Sequence, residues 1–414
     1  MHVDVAVIGA GAAGIAAAVA AAKAGAEVVL VERHDLTGGL ATSAWVGTIC
    51  GLFYRHPTIA RYAVAGFARE FAEAIQQQSR TQVAMYAEGL HFLPYQPAVF
   101  HQEALRQLRQ AKVRLCLQTQ VIGAQVAGRQ LAALTVQDHA KTLTVFPAAV
   151  VDCSGNAQIS ALAGIGRMTE SHYQAGALVF QVSGLPTLSE NVLALVLIRS
   201  LKRGIAAGQL DSACERLSLI PGTLQQGVAL LKLGLPGLYD GTPACLHDYG
   251  QEARSRSHAI VAYLHQHEAV FAALKITAMA NEVGIRTAER SEGIGVLDEH
   301  QVLACAKPDD GVAIGTWPIE YWGGQRKPDM RYFQLDGAYW ISAATLVSRH
   351  LDNLFFAGRC LSATELAIAS ARVIGTCLST GYAAGRLAAD YAETGQWHST
   401  IGKIRRQPIF AGDD

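Results

Sequence analysis

The sequence carries little charge and no excess of either sign. Only 16% of its 414 residues are charged, and 34 basic residues balance 34 acidic ones. Binding to a nucleic acid through counterion release requires a basic surface, so the neutral balance argues against a nucleic-acid partner. Because half of the residues are hydrophobic, the chain is too apolar for intrinsic disorder, and its length suits two or three structural units.

The sequence also lacks paired cysteines. Its eight cysteines are scattered from Cys50 to Cys377, and none forms a Cys-x-x-Cys pair. This pattern is typical of reduced thiols in a cytosolic protein rather than of a disulfide framework, a zinc site or an iron–sulfur cluster. We therefore predict a cytoplasmic location. His258, His265 and His267 lie close in sequence, but no carboxylate or cysteine completes a ligand set, so we predict no metal site.

The N-terminal segment lacks the features of a signal peptide or a membrane span. Residues 5–22 carry no charge and approach the length of a transmembrane helix. However, three glycines interrupt the segment, and it is preceded by Asp4 instead of a basic residue. We interpret it as a buried strand, a turn and a helix, and we expect no membrane span.

The strongest local motif lies between a predicted strand, Val3–Ile8, and a predicted helix, Ala12–Ala24. It reads Gly9-Ala10-Gly11-Ala12-Ala13-Gly14. In this spacing the first glycine allows a sharp turn, the second lets the backbone approach a pyrophosphate, and the third lets helix and strand pack closely. Glu32 ends the next predicted strand, where a carboxylate can bind ribose hydroxyls. An acid there disfavours NADP, and both FAD and NAD remain open from these residues.

The predicted secondary structure changes after residue 113. From Val113 to Asp152, short alternating strands predict a small antiparallel meander that leads back into a parallel sheet, with separate strands at Leu143–Phe146 and Ala149–Asp152. The middle of the chain contains two predicted helices, Ser189–Gln209 and Glu252–Thr277.

Four further blocks decide between the two dinucleotides. They are Gly38-Gly39 after Glu32, residues 150–156, residues 284–293, and Ala357-Gly358-Arg359-Cys360 followed by Ser362-Ala363-Thr364. Together the blocks reach from residue 3 to about residue 390. With them the sequence resembles the FAD-dependent oxidoreductase family, whose nucleotide domain is glutathione-reductase-like and related to the succinate dehydrogenase flavoprotein group. The resemblance implies FAD as the cofactor.

The resemblance also implies the architecture. It is an α/β fold with a Rossmann-like FAD-binding domain, made of a parallel sheet plus a small antiparallel meander, and an inserted α+β substrate domain. We predict that the FAD-binding domain comprises residues 1–167 and 340–414, and that the substrate or cap domain comprises residues 168–339.

The resemblance assigns cofactor-binding roles to residues from all of these blocks. They are Gly9, Gly11, Gly14, Glu32 and the adjacent Arg33 for the ADP half; Gly38, Gly39 and Thr42 for the pyrophosphate and ribityl chain; Val121 for a backbone contact to adenine; Gly155 for the adenosine; Gly358 and Arg359 for the ribityl-diphosphate region; and Gly375-Thr376 at a helix N-terminus directed at the flavin N1–C2=O edge.

The sequence departs from related flavoproteins where their acid–base residues lie. Glu365-Leu366 stands where relatives have a His-Glu pair, and Arg359 replaces an acid. Our catalytic candidates are Arg286 and Arg290, which could converge on an anion, and Glu365, which could move a proton if it is partly desolvated. The alternatives are structural ion pairs of the arginines with nearby glutamates and a Glu365 that only complements a helix dipole.

Two other features bear on the flavin side. The segment from Trp317 to Trp340 concentrates aromatic residues, which indicates either a wall of a flavin-facing pocket or a domain-interface core. Cys50 has no second cysteine five positions away, which excludes a disulfide-reductase dithiol. A covalent flavin link through Cys50 or His34 is left open.

We expect a FAD-dependent oxidoreductase that transfers a hydride between flavin N5 and a small organic substrate, apolar or aromatic in character. The first alternative is a flavin monooxygenase, although Gly358-Arg359-Cys360 replaces the usual Gly-Asp-Ala-type motif. The second is a flavoprotein maturation factor that acts on a protein partner. The expected partner is a small-molecule substrate, and a homodimer or a protein electron partner stays open.

Overall fold

The computed structural model describes residues 1–406 of the chain. Its strands are β1 (His2–Ile8), β2 (Val28–Val31), β3 (Thr48–Ile49), β4 (Ala84–Tyr86), β5 (Leu90–Pro94), β6 (Arg114–Cys116), β7 (Gln120–Ala127), β8 (Gln130–Gln137), β9 (Thr142–Asp152), β10 (Arg167–Met168), β11 (Ala177–Ser183), β12 (Leu217–Leu219), β13 (Ala229–Gly234), β14 (Lys275–Met279), β15 (Arg290–Ser291), β16 (Gly311–Gly315), β17 (Ile319–Tyr321), β18 (Asp329–Arg331), β19 (Tyr339–Ser342) and β20 (Leu354–Phe356). Its α-helices are α1 (Ala12–Lys23), α2 (Leu40–Ser43), α3 (Gly66–Ser79), α4 (Pro97–Gln110), α5 (Gln158–Leu162), α6 (Glu190–Ala206), α7 (Pro243–His267), α8 (Glu299–Leu303), α9 (Glu365–Ala371), α10 (Ile374–Thr394) and α11 (His398–Arg405).

The first part of the chain is built on a seven-stranded sheet with the order β6-β2-β1-β9-β8-β7, and β20 also pairs with β9. Strands β6, β2, β1, β9 and β20 are parallel to one another. Strands β7 and β8 form an antiparallel hairpin that continues into the start of β9. The predicted α/β class, with a parallel sheet and a small antiparallel meander, is confirmed.

Strand β9 is a single strand, although the sequence suggests two. Its first residues pair antiparallel with β8, and the residues from Phe146 onward run parallel to β1. Pro147 lies opposite Val3 within this strand, so the proline does not end it. One strand therefore passes from the meander into the parallel sheet.

Helices α1 and α10 pack against each other through small residues. Residues 12–21 of α1 are all buried. A Cβ added at Gly381 would lie 2.1 Å from the carbonyl oxygen of Ala13, and one added at Gly385 would lie 2.1 Å from that of Ala17. Only glycine therefore fits on the α10 side of this contact. The contact joins a helix near the N-terminus with one near the C-terminus within one hydrophobic core.

The middle of the chain forms a second unit, which we call the cap. It contains a four-stranded antiparallel sheet in the order β12-β13-β11-β14 and the long helices α6 and α7. Its own hydrophobic clusters are drawn from residues 173–285. The predicted helix Ser189–Gln209 corresponds to α6.

The other predicted cap helix, Glu252–Thr277, was placed too far toward the C-terminus. Helix α7 begins at Pro243, because Thr242 caps its first turn and proline suits the first helical position. It ends at His267, and Lys275–Met279 forms β14, which pairs with β11. Sheet pairing therefore overrides the helical pattern at residues 275–277.

Strands β16 and β19 pack on the FAD-binding side of the molecule. The Ile314 amide donates to Ser379 Oγ of α10 at 3.1 Å, and Val312, Ile314 and Ile341 belong to the same hydrophobic core as α1. The boundaries at 167/168 and 339/340 stay a prediction. Within residues 1–406, no helix is long and apolar enough to cross a membrane.

We predict that Gly385→Ala lowers the free energy of unfolding by about 1–3 kcal/mol, because the added methyl group overpacks the contact with α1. The matched control is Gly250→Ala in α7, where an added Cβ meets nothing within 4 Å. The control should gain about 0.5–1 kcal/mol, since alanine is the better helix former. Urea denaturation of both variants at one fixed FAD concentration checks this, and equal effects would contradict the close packing.

Candidate functional site

A cavity of about 680 Å³ is lined by residues of both the central sheet and the cap. On one side its wall consists of the turns that follow β1, β2, β9 and β20. On the other side it is formed by residues of β13 and β17 and by the segment after β14. Of the expected cofactor-binding residues, the lining includes Gly9, Gly11, Glu32, Arg33, Gly38, Gly39, Gly155, Gly358 and Arg359.

The three glycines of the first turn have different tasks. Gly9 has a φ of +97°, and a Cβ there would lie 2.5 Å from the Cys153 carbonyl oxygen. Gly14 lies outside the cavity lining, because it packs against the turn, where a Cβ would be 1.7 Å from the Gly9 oxygen. Gly11 has an ordinary φ of −69°, and a Cβ there would meet no protein atom within 4 Å. Its missing side chain leaves free space on the cavity wall, as close approach of a pyrophosphate requires.

Glu32 is buried at the end of β2 and borders the cavity. One carboxylate oxygen accepts the Ala10 amide at 2.6 Å, and the other accepts the His34 amide at 3.0 Å. The acid is therefore fixed beside the glycine turn, in a position suited to ribose hydroxyls.

The Gly38-Gly39 pair forms the next part of the wall. Gly38 (φ +113°) donates its amide to the Ala10 oxygen at 2.7 Å, and Gly39 (φ +53°) passes so close to Gly11 that a Cβ would lie 2.9 Å from its Cα. Thr42 does not line the cavity. Its hydroxyl donates to the Thr37 oxygen at 2.8 Å, and its side chain fills the space beside Gly38. Thr42 thus shapes the loop from behind.

The pairing of β20 with β9 brings the last glycine turn to the first. Phe356 lies opposite Asp152, so residues 358–359 emerge beside residues 153–155. The Arg359 guanidinium lies over Gly155, where a Cβ would be 2.4 Å from it, and donates to the Ile285 oxygen at 2.7 Å. Burial lowers the pKa of Arg359. The cationic side chain is thus held where two glycine turns and the cap meet.

Three of the expected cofactor-binding residues lie behind the wall. Val121 is buried in β7, and its carbonyl accepts the Gln158 side chain at 2.9 Å. Gly375 donates its amide to the Cys50 oxygen at 2.8 Å, and Thr376 has a buried hydroxyl with no hydrogen-bond partner. The start of α10 nevertheless faces the cavity, because Val373, Ile374 and Cys377 line it.

The cap side of the cavity contains a cluster of ionisable side chains, which we call the charged cluster: Lys232 of β13, Arg286, Glu320 of β17 and Arg372. Glu320 accepts hydrogen bonds from two indole N–H groups, that of Trp317 at 2.8 Å and that of Trp322 at 2.9 Å. The cations of Arg286 and Lys232 lie 4.3 and 5.6 Å from the centre of the Trp322 ring.

Burial dominates the electrostatics of this cluster. It lowers the pKa of Lys232 and lowers that of Arg286 to about 9. For Glu320 burial acts in the opposite direction, but Arg372 and the Trp317 indole outweigh it and hold the pKa below its usual range, so Glu320 stays ionised. Burial also raises the pKa of Cys50 to about 12, which makes its thiol a poor nucleophile.

Two of the three catalytic candidates do not reach the cavity, and the expected convergence of Arg286 with Arg290 is not observed. Arg290 is fully buried, and it donates to the Ala363 oxygen at 2.8 Å and to Glu170 at 2.6 Å. Glu365 accepts the Tyr321 hydroxyl at 2.9 Å at the start of α9, and burial raises its pKa. Arg286 alone among these candidates lines the cavity.

Sequence reasoning missed Lys232, Glu320 and Arg372. The sequence did contain a signal that Glu320 lies at the site, because Trp317 and Trp322 flank it in the aromatic-rich segment. Trp317, Trp322 and Tyr332 line the cavity, which supports the pocket-wall interpretation for these three residues. Lys232 lies in an otherwise apolar cap strand, and nothing in its local sequence indicates that it faces a site.

Glu282 of the cap lies within ion-pair distance of two basic side chains beside the cavity, and the longer of the two contacts is with Arg33 Nη2 at 3.8 Å. His34 Nε2, after β2, lies 3.1 Å from Glu282 of the cap, and both residues line the cavity. Hydrogen bonding to Glu282 raises the pKa of His34, and the same contact lowers the pKa of Glu282 to about 2. Both shifts have the direction expected for an attractive contact between a protonated histidine and a carboxylate.

The two-ended set of glycine turns with an acid after the second strand defines a dinucleotide-binding protein of the flavoprotein type. The family model described as FAD dependent oxidoreductase matches residues 4–405. The chain therefore belongs to the FAD-dependent oxidoreductase family, and FAD is its cofactor. This confirms the resemblance seen in the sequence. No curated protein matches the chain.

Solved flavoprotein structures share the fold. The flavin-dependent brominase Bmp2 aligns with a TM-score of 0.52 at 12% identity, over 98% of this chain and 83% of its own. OxyS anhydrotetracycline hydroxylase from Streptomyces rimosus aligns with a TM-score of 0.50 at 13% identity, over 99% of this chain and 67% of its own. A geranylgeranyl bacteriochlorophyll reductase-like protein from Thermoplasma acidophilum has a TM-score of 0.49 at 10% identity, over 99% of this chain and 84% of its own.

We predict that Gly11→Ala weakens FAD binding by about tenfold or more, since overpacking costs about 1–3 kcal/mol. The protein without FAD should keep its melting temperature, because the added Cβ meets no protein atom. The control, Gly123→Ala in β7, lies away from the cavity. Titration with FAD, followed by flavin fluorescence, measures both affinities. If the Gly11→Ala variant bound FAD with unchanged affinity, the hypothesis that the pyrophosphate lies against Gly11 would be wrong.

We predict that Glu282→Gln returns the pKa of His34 toward its ordinary value. The raised pKa of His34 contributes stability that is present below pH 6.5 and is lost as the pH rises through its folded value. The lowered pKa of Glu282 contributes stability above pH 4.5 that is lost as the pH falls toward about 2. The stability difference from the wild type should therefore be largest between pH 4.5 and 6.5.

Thermal unfolding across pH, with an NMR titration of His34, measures this difference. The control is Glu252→Gln, which removes an ion pair with an arginine, Arg256, instead of a histidine. Because Arg33 also lies 3.8 Å from Glu282, part of the Glu282→Gln difference can remain at pH 9. A difference that does not decrease at all between pH 6.5 and pH 9 would contradict the contact with His34.

Proposed function

We propose that the protein transfers a hydride between a small organic substrate and flavin N5. The observation that supports this is one cavity that extends from the glycine turns to an aromatic and charged wall on the cap. Its volume of about 680 Å³ is within the range of cofactor and metabolite sites, which favours a small molecule over a protein partner. When bound, the flavin supplies the two-electron donor or acceptor.

Separate groups of residues would bind the cofactor and orient the substrate. Gly11, Glu32 and Arg359 hold the adenine dinucleotide end. The first turn of α10 contributes the positive end of its helix dipole, which suits negative charge on the flavin ring. On the opposite wall of the cavity, Glu320 of β17 fixes the Trp317 and Trp322 indoles by accepting both N–H groups. The indole faces then exclude water and orient an apolar or aromatic substrate body.

Of the catalytic candidates, we keep Arg286 as a substrate-binding residue, because it lies in the cavity and stacks on Trp322. Arg290 and Glu365 have no contact with the cavity. Glu320 is a poor proton donor, because both of its oxygens accept indole N–H groups and its pKa is lowered.

The second candidate is oxygen-dependent monooxygenation. It is favoured by the fold shared with a brominase and with a hydroxylase that acts on anhydrotetracycline. The terminal motif argues against monooxygenation, because this chain has Arg359 where the usual motif has an acid.

One anaerobic experiment separates these candidates. The FAD-loaded protein is mixed with a panel of small metabolites, and the visible absorption of the oxidised flavin is followed. Under hydride transfer, a panel member bleaches the flavin without oxygen, and the oxidised product appears in equal amount. Under monooxygenation, anaerobic bleaching requires NADH or NADPH, and an oxygen atom enters the product only after O₂ is admitted. Protein that purifies without FAD and is not stabilised by added FAD would overturn both.

A further inference from the structure

The charged cluster on the cap side has an excess of positive charge. Lys232, Arg286 and Arg372 supply three cationic groups, and Glu320 supplies the one carboxylate among them. Within residues 1–406, no carboxylate oxygen lies within 4 Å of the cationic nitrogens of these three residues, so none of them forms an ion pair. All three residues are partly buried. Removing a cation from water without an opposite charge beside it is costly, and a bound anion would supply that charge.

Glu320 does not offset the excess by direct contact. Its two oxygens accept the indole N–H groups of Trp317 and Trp322, and Arg372 reaches only its backbone oxygen, at 3.1 Å. The Arg372 Nε is buried without a hydrogen-bond partner. The carboxylate therefore orients the aromatic wall and forms no ion pair with the cations. Arg286 and Arg372 donate to neutral oxygens only, those of Ala175, Gln174 and the Glu320 backbone, so their charge is not neutralised by direct contact.

The surroundings of the cations are apolar and aromatic. Trp317, Trp322 and Tyr332 line the same side of the cavity, together with Leu90 and Met330. A guanidinium pairs well with a carboxylate because its planar N–H groups match the two oxygens. An aromatic wall beside such a pair suits an organic body attached to that carboxylate.

We infer that the cap side binds an organic acid, whose carboxylate pairs with Lys232, Arg286 and Arg372 while its apolar or aromatic body packs on the tryptophans. This inference rests on the proposed function, because it names the substrate class for the same cavity. The pyrophosphate of FAD does not compete for these cations, since its expected place is at the glycine turns beside Arg359.

The test uses two probes of matched shape, benzoate and the uncharged benzamide, added to the FAD-loaded protein. Binding is followed by the change in flavin absorption and by quenching of tryptophan fluorescence, to which Trp317 and Trp322 contribute. Benzoate should bind saturably, and at least about tenfold more tightly than benzamide, because a charged hydrogen bond contributes about 1.5–3 kcal/mol. Acetate and inorganic phosphate test the need for an organic body.

Two variants connect the binding to the cluster. Arg286→Met and Lys232→Met should each weaken benzoate binding about tenfold to hundredfold while leaving the affinity for benzamide and for FAD unchanged. Lys202→Met removes an exposed lysine from α6 of the cap and should change none of these affinities. Because Arg286 also donates to the Ala175 oxygen, Lys232→Met keeps the test open if Arg286→Met does not fold.

Equal binding of benzoate and benzamide, or binding of phosphate with no binding of either carboxylate, would overturn the inference. A change in flavin spectrum in Arg286→Met without a change in benzoate affinity would assign the arginine to the flavin instead. These outcomes are distinct from failure of the proposed function, in which FAD itself is not bound.

Discussion

The close contact of α1 with α10 is the constraint on which the rest of the molecule depends. Gly381 and Gly385 lie against the backbone of Ala13 and Ala17, and no larger residue fits there. This contact, together with the pairing of β20 on β9, places the last glycine turn beside the first. Both turns line the same cavity. The FAD site that we propose there therefore requires the two ends of the chain to pack together.

A second principle governs the cap side, where burial sets the behaviour of charge. Burial lowers the pKa of Arg286 to about 9 and also lowers the pKa of Lys232. Glu320 nevertheless stays ionised, because Arg372 and two indoles surround it. Trp322 serves two purposes, since its N–H donates to the carboxylate and its ring contacts the cations of Lys232 and Arg286. One short segment therefore shapes both the apolar and the charged character of the cavity.

Several sequence-based expectations rest on local spacing. The Gly9–Gly14 motif and Glu32 follow the ends of β1 and β2 directly, and a side chain at Gly11 would meet no protein atom within 4 Å. Their roles in binding FAD stay predictions. Expectations failed where a distant partner decides the outcome. The end of the predicted helix, residues 275–277, belongs to β14 instead, because this segment pairs with β11. Strand β9 continues through Pro147, because its first residues pair with β8 and its later residues pair with β1.

The amino-acid sequence alone determined the α/β class and the glycine turn after β1, because these depend on residues within one strand–turn–helix unit. The motif by itself left FAD and NAD open, and the resemblance of separate blocks to a family decided for FAD. Only the tertiary structure decided which ionisable residues face the cavity. In the folded chain, Arg290 and Glu365 lie outside the cavity lining. The lining instead contains four ionisable residues from separate segments: Lys232, Arg286, Glu320 and Arg372. The physical reason is that a side chain's burial and charge partners come from packing between distant elements, which local patterns do not contain.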